Sequence, residues 1–180
     1  MKSNFDKCLA MLLEHEGGFT ADKRDKGNAG DGHGNQGSTM LGVTSRVYAD
    51  WTGKPAPIEV MEALTPDDVA PIYKKNYWDR VKGDYLPSGV DWCAFDWAVN
   101  SGSGRPAKAI QRAVGAKVDG AIGKQTVGLV MEKDPKFIID YVYTVRKAFY
   151  EGLDDYKHFG RGWSRRNTET LHQAMKMVEE

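Results

Sequence analysis

The sequence predicts a mostly α-helical fold around one buried central helix, with at most a small β-hairpin near residues 20–44. Three observations carry that expectation. Apolar residues recur at helical spacing in segment after segment, and no stretch of any length alternates as a half-buried strand does. One such segment, 91–101, is apolar on every side, as a helix buried all round must be. The long stretch without a helical period, Thr20–Thr44, is rich in glycine and polar residues and reads as loop or short hairpin.

In chain order, Phe5, Cys8, Leu9, Leu12 and Leu13 form an amphipathic stripe. Ser3 or Asn4 can cap its start, and Gly17-Gly18 stand where a helix stops. After the glycine-rich loop comes a short helix over about 45–51 and a turn at Lys54-Pro55-Ala56-Pro57. Thr65-Pro66-Asp67-Asp68 combines a cap, a first-turn proline and two acids, so a helix starts there, with Val69, Ile72, Tyr73 and Tyr77 inward. In the central helix, Val90, Cys93, Ala94, Trp97 and Ala98 form one face and Trp92, Phe95 and Val99 the other. Its polar interior residues, Asp96 and Asn100, share one stripe at i, i+4. Further helices are expected over about 107–114, 124–132, 135–153 and 164–178.

Length and composition bound the function. The chain has 180 residues, 41% hydrophobic and 28% charged, which suits one globular domain or two small lobes rather than a disordered chain. Twenty-five basic residues balance twenty-five acidic ones, which argues against a protein that coats nucleic acid. No apolar run approaches the roughly 20 residues a membrane span needs. Asp6 interrupts the place where a secretory h-region would run, so synthesis in the cytoplasm is the expectation. Cys8 and Cys93 lie in apolar helical patterns and read as buried free thiols. His15, His33, His158 and His172 have no metal-ligand spacing, and no phosphate-binding glycine loop is present, so neither metal nor cofactor is expected.

Glu16 is the first candidate for chemistry. At about 100° per residue, the eleven residues from Phe5 bring it back to within about 20° of Phe5's direction, on the buried face of the last helical turn. Desolvation and the negative end of the helix dipole would both favour its protonated form, as a general acid requires. A glutamate pairing with an arginine or capping another helix would look the same in sequence. Gly17 and Gly18 leave room for a ligand, and Phe19 could stack on a sugar face. A glycosidase needs a second carboxylate or an activated water opposite its acid. Asp22, Asp25 and Asp31 are available, although each taken alone reads equally as part of a solvated charged loop. Tyr77, Trp78 and Trp163 suit either a carbohydrate-stacking surface or ordinary packing at helix ends.

His15-Glu16-Gly17-Gly18-Phe19, the aspartates after it and Ser38-Thr39-Met40-Leu41-Gly42-Val43-Thr44 resemble the N-terminal part of glycoside hydrolase family 108, the peptidoglycan muramidases of phages and bacteria. Phe95-Asp96-Trp97-Ala98-Val99-Asn100-Ser101-Gly102, Ala109-Ile110-Gln111-Arg112-Ala113 and Val118-Asp119-Gly120-Ala121-Ile122-Gly123-Lys124-Gln125-Thr126 resemble the predicted peptidoglycan-binding region that accompanies it. Tyr77-Trp78 and Arg161-Gly162-Trp163 match too. The resemblance implies a lysozyme-like fold, with a catalytic region over 1–90 and a helical peptidoglycan-binding region over 91–180. It implies hydrolysis of the β-1,4 bond from N-acetylmuramic acid to N-acetylglucosamine, with Glu16 as acid and Asp25 and Thr39 as partners that hold or activate water. Phe19, Tyr77, Trp78, Asp96, Asn100 and Trp163 become candidate substrate contacts or supports. Lys23 and Lys26 stand where the family tends to have prolines, and 28–37 looks inserted.

The implied partner is bacterial peptidoglycan, met by a monomer after holin-type release. The competing expectations are a non-catalytic wall-binding or secretion-associated module, and a peptidoglycan amidase.

Overall fold

The computed structural model describes residues 4–180, so the Ser3 cap lies outside the described residues. Among these residues nine α-helices and one two-stranded antiparallel sheet are formed, and the fold is mostly α as expected. No helix among them is long and apolar enough to cross a membrane. The chain divides into two compact units: Leu9–Lys74, and a larger one made of Met1–Cys8 with Lys75–Glu180. Helix α1 (Phe5–Leu13) contributes its first residues to the larger unit and the rest to the smaller.

In the smaller unit, α1 ends three residues before Glu16. The Glu14 N–H still bonds the Ala10 carbonyl, but the His15 N–H turns to Leu12, so the last turn tightens and unwinds. The Glu16 carboxyl is therefore on a half-buried bend rather than on the helical stripe the periodicity predicts. Strands β1 (Thr39–Met40) and β2 (Val43–Thr44) pair antiparallel, and Thr20 bridges to Thr39 on the other edge. Helices α2 (Ser45–Thr52), α3 (Ile58–Glu62) and α4 (Pro66–Tyr73) follow. The predicted cap of α4 is present: the Asp68 carboxylate accepts both the N–H and the hydroxyl of Thr65. Val43, Ala49, Ala56, Met61, Val69 and Ile72 are buried in this unit.

The inserted-looking stretch is fastened down. The Asp31 side chain, fully buried, accepts from the N–H groups of His33, Asn35 and Ala56 and from the Asn35 amide. Those donors, the Asn35 amide first, hold its carboxyl far below the usual carboxylate range although burial opposes them. A Cβ on Gly37 would lie 2.4 Å from the backbone of Asn28 and Gly30, so only glycine lets the loop cross itself there.

In the larger unit, α5 (Val90–Ser101) is buried from Val90 through Ala98. Helices α6 (Gly104–Val114), α7 (Lys124–Met131), α8 (Pro135–Glu151) and α9 (Tyr156–Glu179) complete it, and α5 contacts α6, α8 and α9. Helix α9 starts eight residues before the apolar stripe predicts, because its first turns carry no inward apolar repeat: Phe159 is exposed, and Gly160 is the buried residue, held against the Tyr156 ring. Cys8 and Cys93 are buried and free, and burial pushes both thiols far up.

Two carboxylates on α5 carry the electrostatics. Asp96 is fully buried; Arg146 Nη1 reaches Oδ2 at 2.6 Å, Arg166 Nη2 reaches Oδ1 at 2.8 Å, and the Thr170 hydroxyl donates to Oδ2 at 3.1 Å. Burial pushes this carboxyl up, but the two guanidiniums outweigh it and hold it below the usual range. Among the described residues Asp91 has no cation of this kind. It accepts from the Asn4 amide and from the N–H groups of Gly89 and Trp92, and burial pushes it up to about 6.

Asp96→Ala leaves two cations without their counter-ion, so urea unfolding should show a loss of about 3 kcal/mol or more. For Asp91 the slope has the opposite origin. Between the ordinary value of 3.8 and about 6 the folded chain binds more protons than the unfolded one, so this group's contribution to stability falls as pH rises through that window. The thermal midpoint of wild type minus that of Asp91→Asn, measured across it, should fall as pH rises, because the amide stands in for the protonated acid and does not titrate.

Candidate active site

The site is built at the tip of the hairpin. Thr39 faces Thr44 and Met40 faces Val43, so two residues, Leu41 and Gly42, make the turn. Both have positive φ, +50° and +74°, as the type I′ turn requires. Glycine adopts this freely; leucine there costs about 1–3 kcal/mol and persists only where its surroundings hold it. What holds it is Tyr73, whose buried hydroxyl, at the end of α4, donates to the Leu41 carbonyl at 2.9 Å.

Glu16 meets this tip. A Cβ on Gly42 would lie 2.4 Å from the Tyr73 hydroxyl and 2.8 Å from Glu16 Oε2. Carboxylate, phenol and hairpin backbone thus crowd one point that only a glycine can occupy. The two residues that follow Glu16 are exposed, and a Cβ on Gly17 or Gly18 would meet nothing within 4 Å. A half-buried carboxyl set against a fixed wall is held in place as a general acid must be. Phe19, next in sequence, is half-buried.

The two proposed partners of Glu16 are on the loop and sheet beside it in the chain. Asp25 is exposed and caps the short 3-10 turn Lys26–Asn28, one oxygen accepting the Gly27 N–H at 2.8 Å. Among the described residues its other oxygen has no bond of this kind. Thr39 is the middle of a row of three threonines, Thr20, Thr39 and Thr44, paired side by side. Its backbone is locked to Thr20 in both directions, and its hydroxyl donates to the Asn28 side-chain oxygen at 2.7 Å. The hydroxyl proton is committed there, while the oxygen can still accept.

The remaining candidates lie in the larger unit. Tyr77 is half-buried, in the π-helical turn Lys74–Trp78 that follows α4. Trp78 is not a sugar platform: it is fully buried between the rings of Phe5 and Phe95, 5.5 and 5.4 Å away, and its Nε1 donates to Asp84. Asp96 is likewise no substrate contact, since it is fully buried and both its oxygens are taken. Burying the whole of α5 puts these residues where no polymer reaches them. Asn100, one turn on, is exposed and donates to the Asp96 carbonyl. Trp163 is half-buried and lies within α9 rather than at a helix end.

Leu41, Gly42 and Tyr73 are the residues that sequence reasoning passed over. Gly42 was one glycine among many, and Tyr73 read as core. The available signal was a glycine between two short β-prone pairs, Thr39-Met40 and Val43-Thr44, which marks a two-residue hairpin.

The profile of the family described as Glycosyl hydrolase 108 matches residues 9–102. Among solved structures, that of SagA from Brucella abortus is 32% identical, covers 98% of this chain and 97% of its own, and superposes with a TM-score of 0.80. No curated protein matches the chain.

Gly42→Ala drives a methyl group into the Glu16 carboxyl and the Tyr73 hydroxyl. Hydrolytic activity should fall about a hundredfold, as misplacement of a reacting group by about 1 Å does, while the helical circular-dichroism spectrum stays unchanged.

Proposed function

The chain belongs to glycosyl hydrolase family 108 and is a glycoside hydrolase of the lysozyme type; from that premise we propose that it is an N-acetylmuramidase. It cleaves the β-1,4 bond between N-acetylmuramic acid and N-acetylglucosamine in peptidoglycan. The observation that carries this reading is the setting of Glu16: a half-buried carboxyl set against Gly42 and Tyr73 and followed by two exposed glycines.

In the proposed mechanism Glu16 gives its proton to the glycosidic oxygen as the bond to the anomeric carbon breaks. Asp25 offers a carboxylate to the developing positive charge or takes the proton of the attacking water. Thr39, its own proton committed to Asn28, accepts a hydrogen bond from that water and orients it. The fixed hairpin supplies the preorganisation, because neither Glu16 nor Thr39 has to be gathered from a mobile chain. Phe19 and Tyr77, both half-buried aromatics, are the proposed contacts to the sugar rings. The helical region after residue 91 serves in wall binding. Cytoplasmic accumulation followed by holin-type release, as in a phage endolysin, is the proposed route to the wall, and the active species is a monomer.

Peptidoglycan digested with wild type and with Glu16→Gln and read by mass spectrometry tests the assignment. Fragments ending in reducible N-acetylmuramic acid should form with wild type and fall by a factor of about a thousand or more in the variant. Free stem peptides would make the protein an amidase, and near-wild-type cleavage by the variant would remove Glu16 from the mechanism.

A further inference from the structure

The stretch from Asn28 to Gly37 that looks inserted has its two ends in contact. A Cβ on Gly37 would lie 2.4 Å from the carbonyl carbon and oxygen of Asn28, so the loop closes on itself at its first residue. Asn28 is buried, with 4% of its surface exposed, and both ends of its side-chain amide are engaged. Nδ2 donates to the Asp22 carbonyl at 3.0 Å, and Oδ1 accepts from the Thr39 hydroxyl at 2.7 Å.

The direction of each bond is forced. A backbone carbonyl only accepts, so the amide nitrogen must face Asp22. The amide oxygen is then the end left for Thr39. It too only accepts, so the hydroxyl must give it its one proton. What remains on Thr39 Oγ1 is acceptor capacity, and a water beside it must point a hydrogen at it.

The same residue ties together the two proposed partners of Glu16. Asn28 closes the 3-10 turn that Asp25 caps: its N–H donates to the Asp25 carbonyl at 2.9 Å, while Asp25 Oδ1 accepts the Gly27 N–H. The turn lies against the next threonine of the row, since a Cβ on Gly27 would be 3.4 Å from the Thr44 methyl carbon. The turn that carries the carboxylate and the strand that carries the hydroxyl are thus joined through one buried side chain. The acids beside it are engaged elsewhere, the Asp22 carboxylate by Arg24 and Asp31 by His33, Asn35 and Ala56.

We infer that Asn28 is a positioning residue for the hydrolysis. It fixes the polarity of the Thr39 hydroxyl, so that the attacking water is held by a hydrogen and keeps its lone pairs for the anomeric carbon. The inference rests on the reading in which Thr39 orients that water. It gives the inserted-looking loop a task, which is to bring Asn28 to Thr39 and keep it buried there. Without the amide the hydroxyl is free to donate, and a donating Thr39 would hold the water by a lone pair and turn a hydrogen towards the sugar.

Steady-state kinetics on soluble peptidoglycan fragments tests this with Asn28→Leu, Asn28→Asp, Thr39→Val and the double variant Asn28→Leu/Thr39→Val. Asn28→Leu should lower kcat about tenfold or more and leave KM within about twofold, because the water and not the substrate is misplaced. Thr39→Val should lose at least as much. The double variant should be no slower than Thr39→Val alone, since Asn28 acts through a hydroxyl that is no longer there. An asparagine that only braces the loop would give losses that multiply. Asn28→Asp keeps an acceptor opposite Thr39 and should stay within about threefold of wild type, which decides the matter where Asn28→Leu does not fold. Wild-type kcat in Asn28→Leu, multiplied losses in the double variant, or Asn28→Asp as slow as Thr39→Val would each overturn the proposal and leave Thr39 in the mechanism. Wild-type kcat in Thr39→Val would remove Thr39 from the reaction, and the reading beneath the proposal would fall with it.

Discussion

A carboxylate on a helix buried from every side sets the arrangement of the larger unit. Asp96 cannot be solvated where it stands, and unpaired it would cost several kcal/mol. Two guanidiniums and a hydroxyl from α8 and α9 meet it within 3.1 Å, so these two helices must lie against α5 in one register. A purely apolar contact between the same helices would tolerate sliding. A charge with fixed partners does not.

The smaller unit depends on a different constraint, the absence of a side chain. At Gly42 the hairpin turns with positive φ, the Tyr73 hydroxyl fixes the strained residue before it, and the Glu16 carboxyl comes to rest against its α-carbon. Polar groups brought this close to backbone are oriented without needing long side chains to hold them. The loop between Thr20 and Thr39 is closed at its base by their pairing and pinned by buried Asp31, so a segment that looks inserted in sequence is a built wall.

Some sequence inferences failed for reasons that lie in packing. Helical periodicity gave Glu16 a direction by assuming that α1 continues, but hydrogen bonds at the helix end shift from i−4 to i−3, and the bend decides where the carboxyl points. Trp78 beside polar residues looked available, yet Gly83 leaves a slot into which its ring fits: a Cβ there would lie 2.3 Å from the indole. Trp163 was expected near a helix end, but the helix continues through glycines whose neighbours give no apolar stripe.

What the sequence determined by itself is whatever depends on local order. Periodicity and capping placed most of the helices, though they passed over α3 and began α9 eight residues late, and the all-apolar segment identified the buried one. The Glu-Gly-Gly stretch and its ordered companions pointed to the family. The partners of each polar group were decided only in three dimensions. Arg146 is fifty residues from Asp96, and Tyr73 is thirty-two from Leu41. No local pattern encodes such pairings, because they exist only once the chain has brought the groups into a place from which water is excluded.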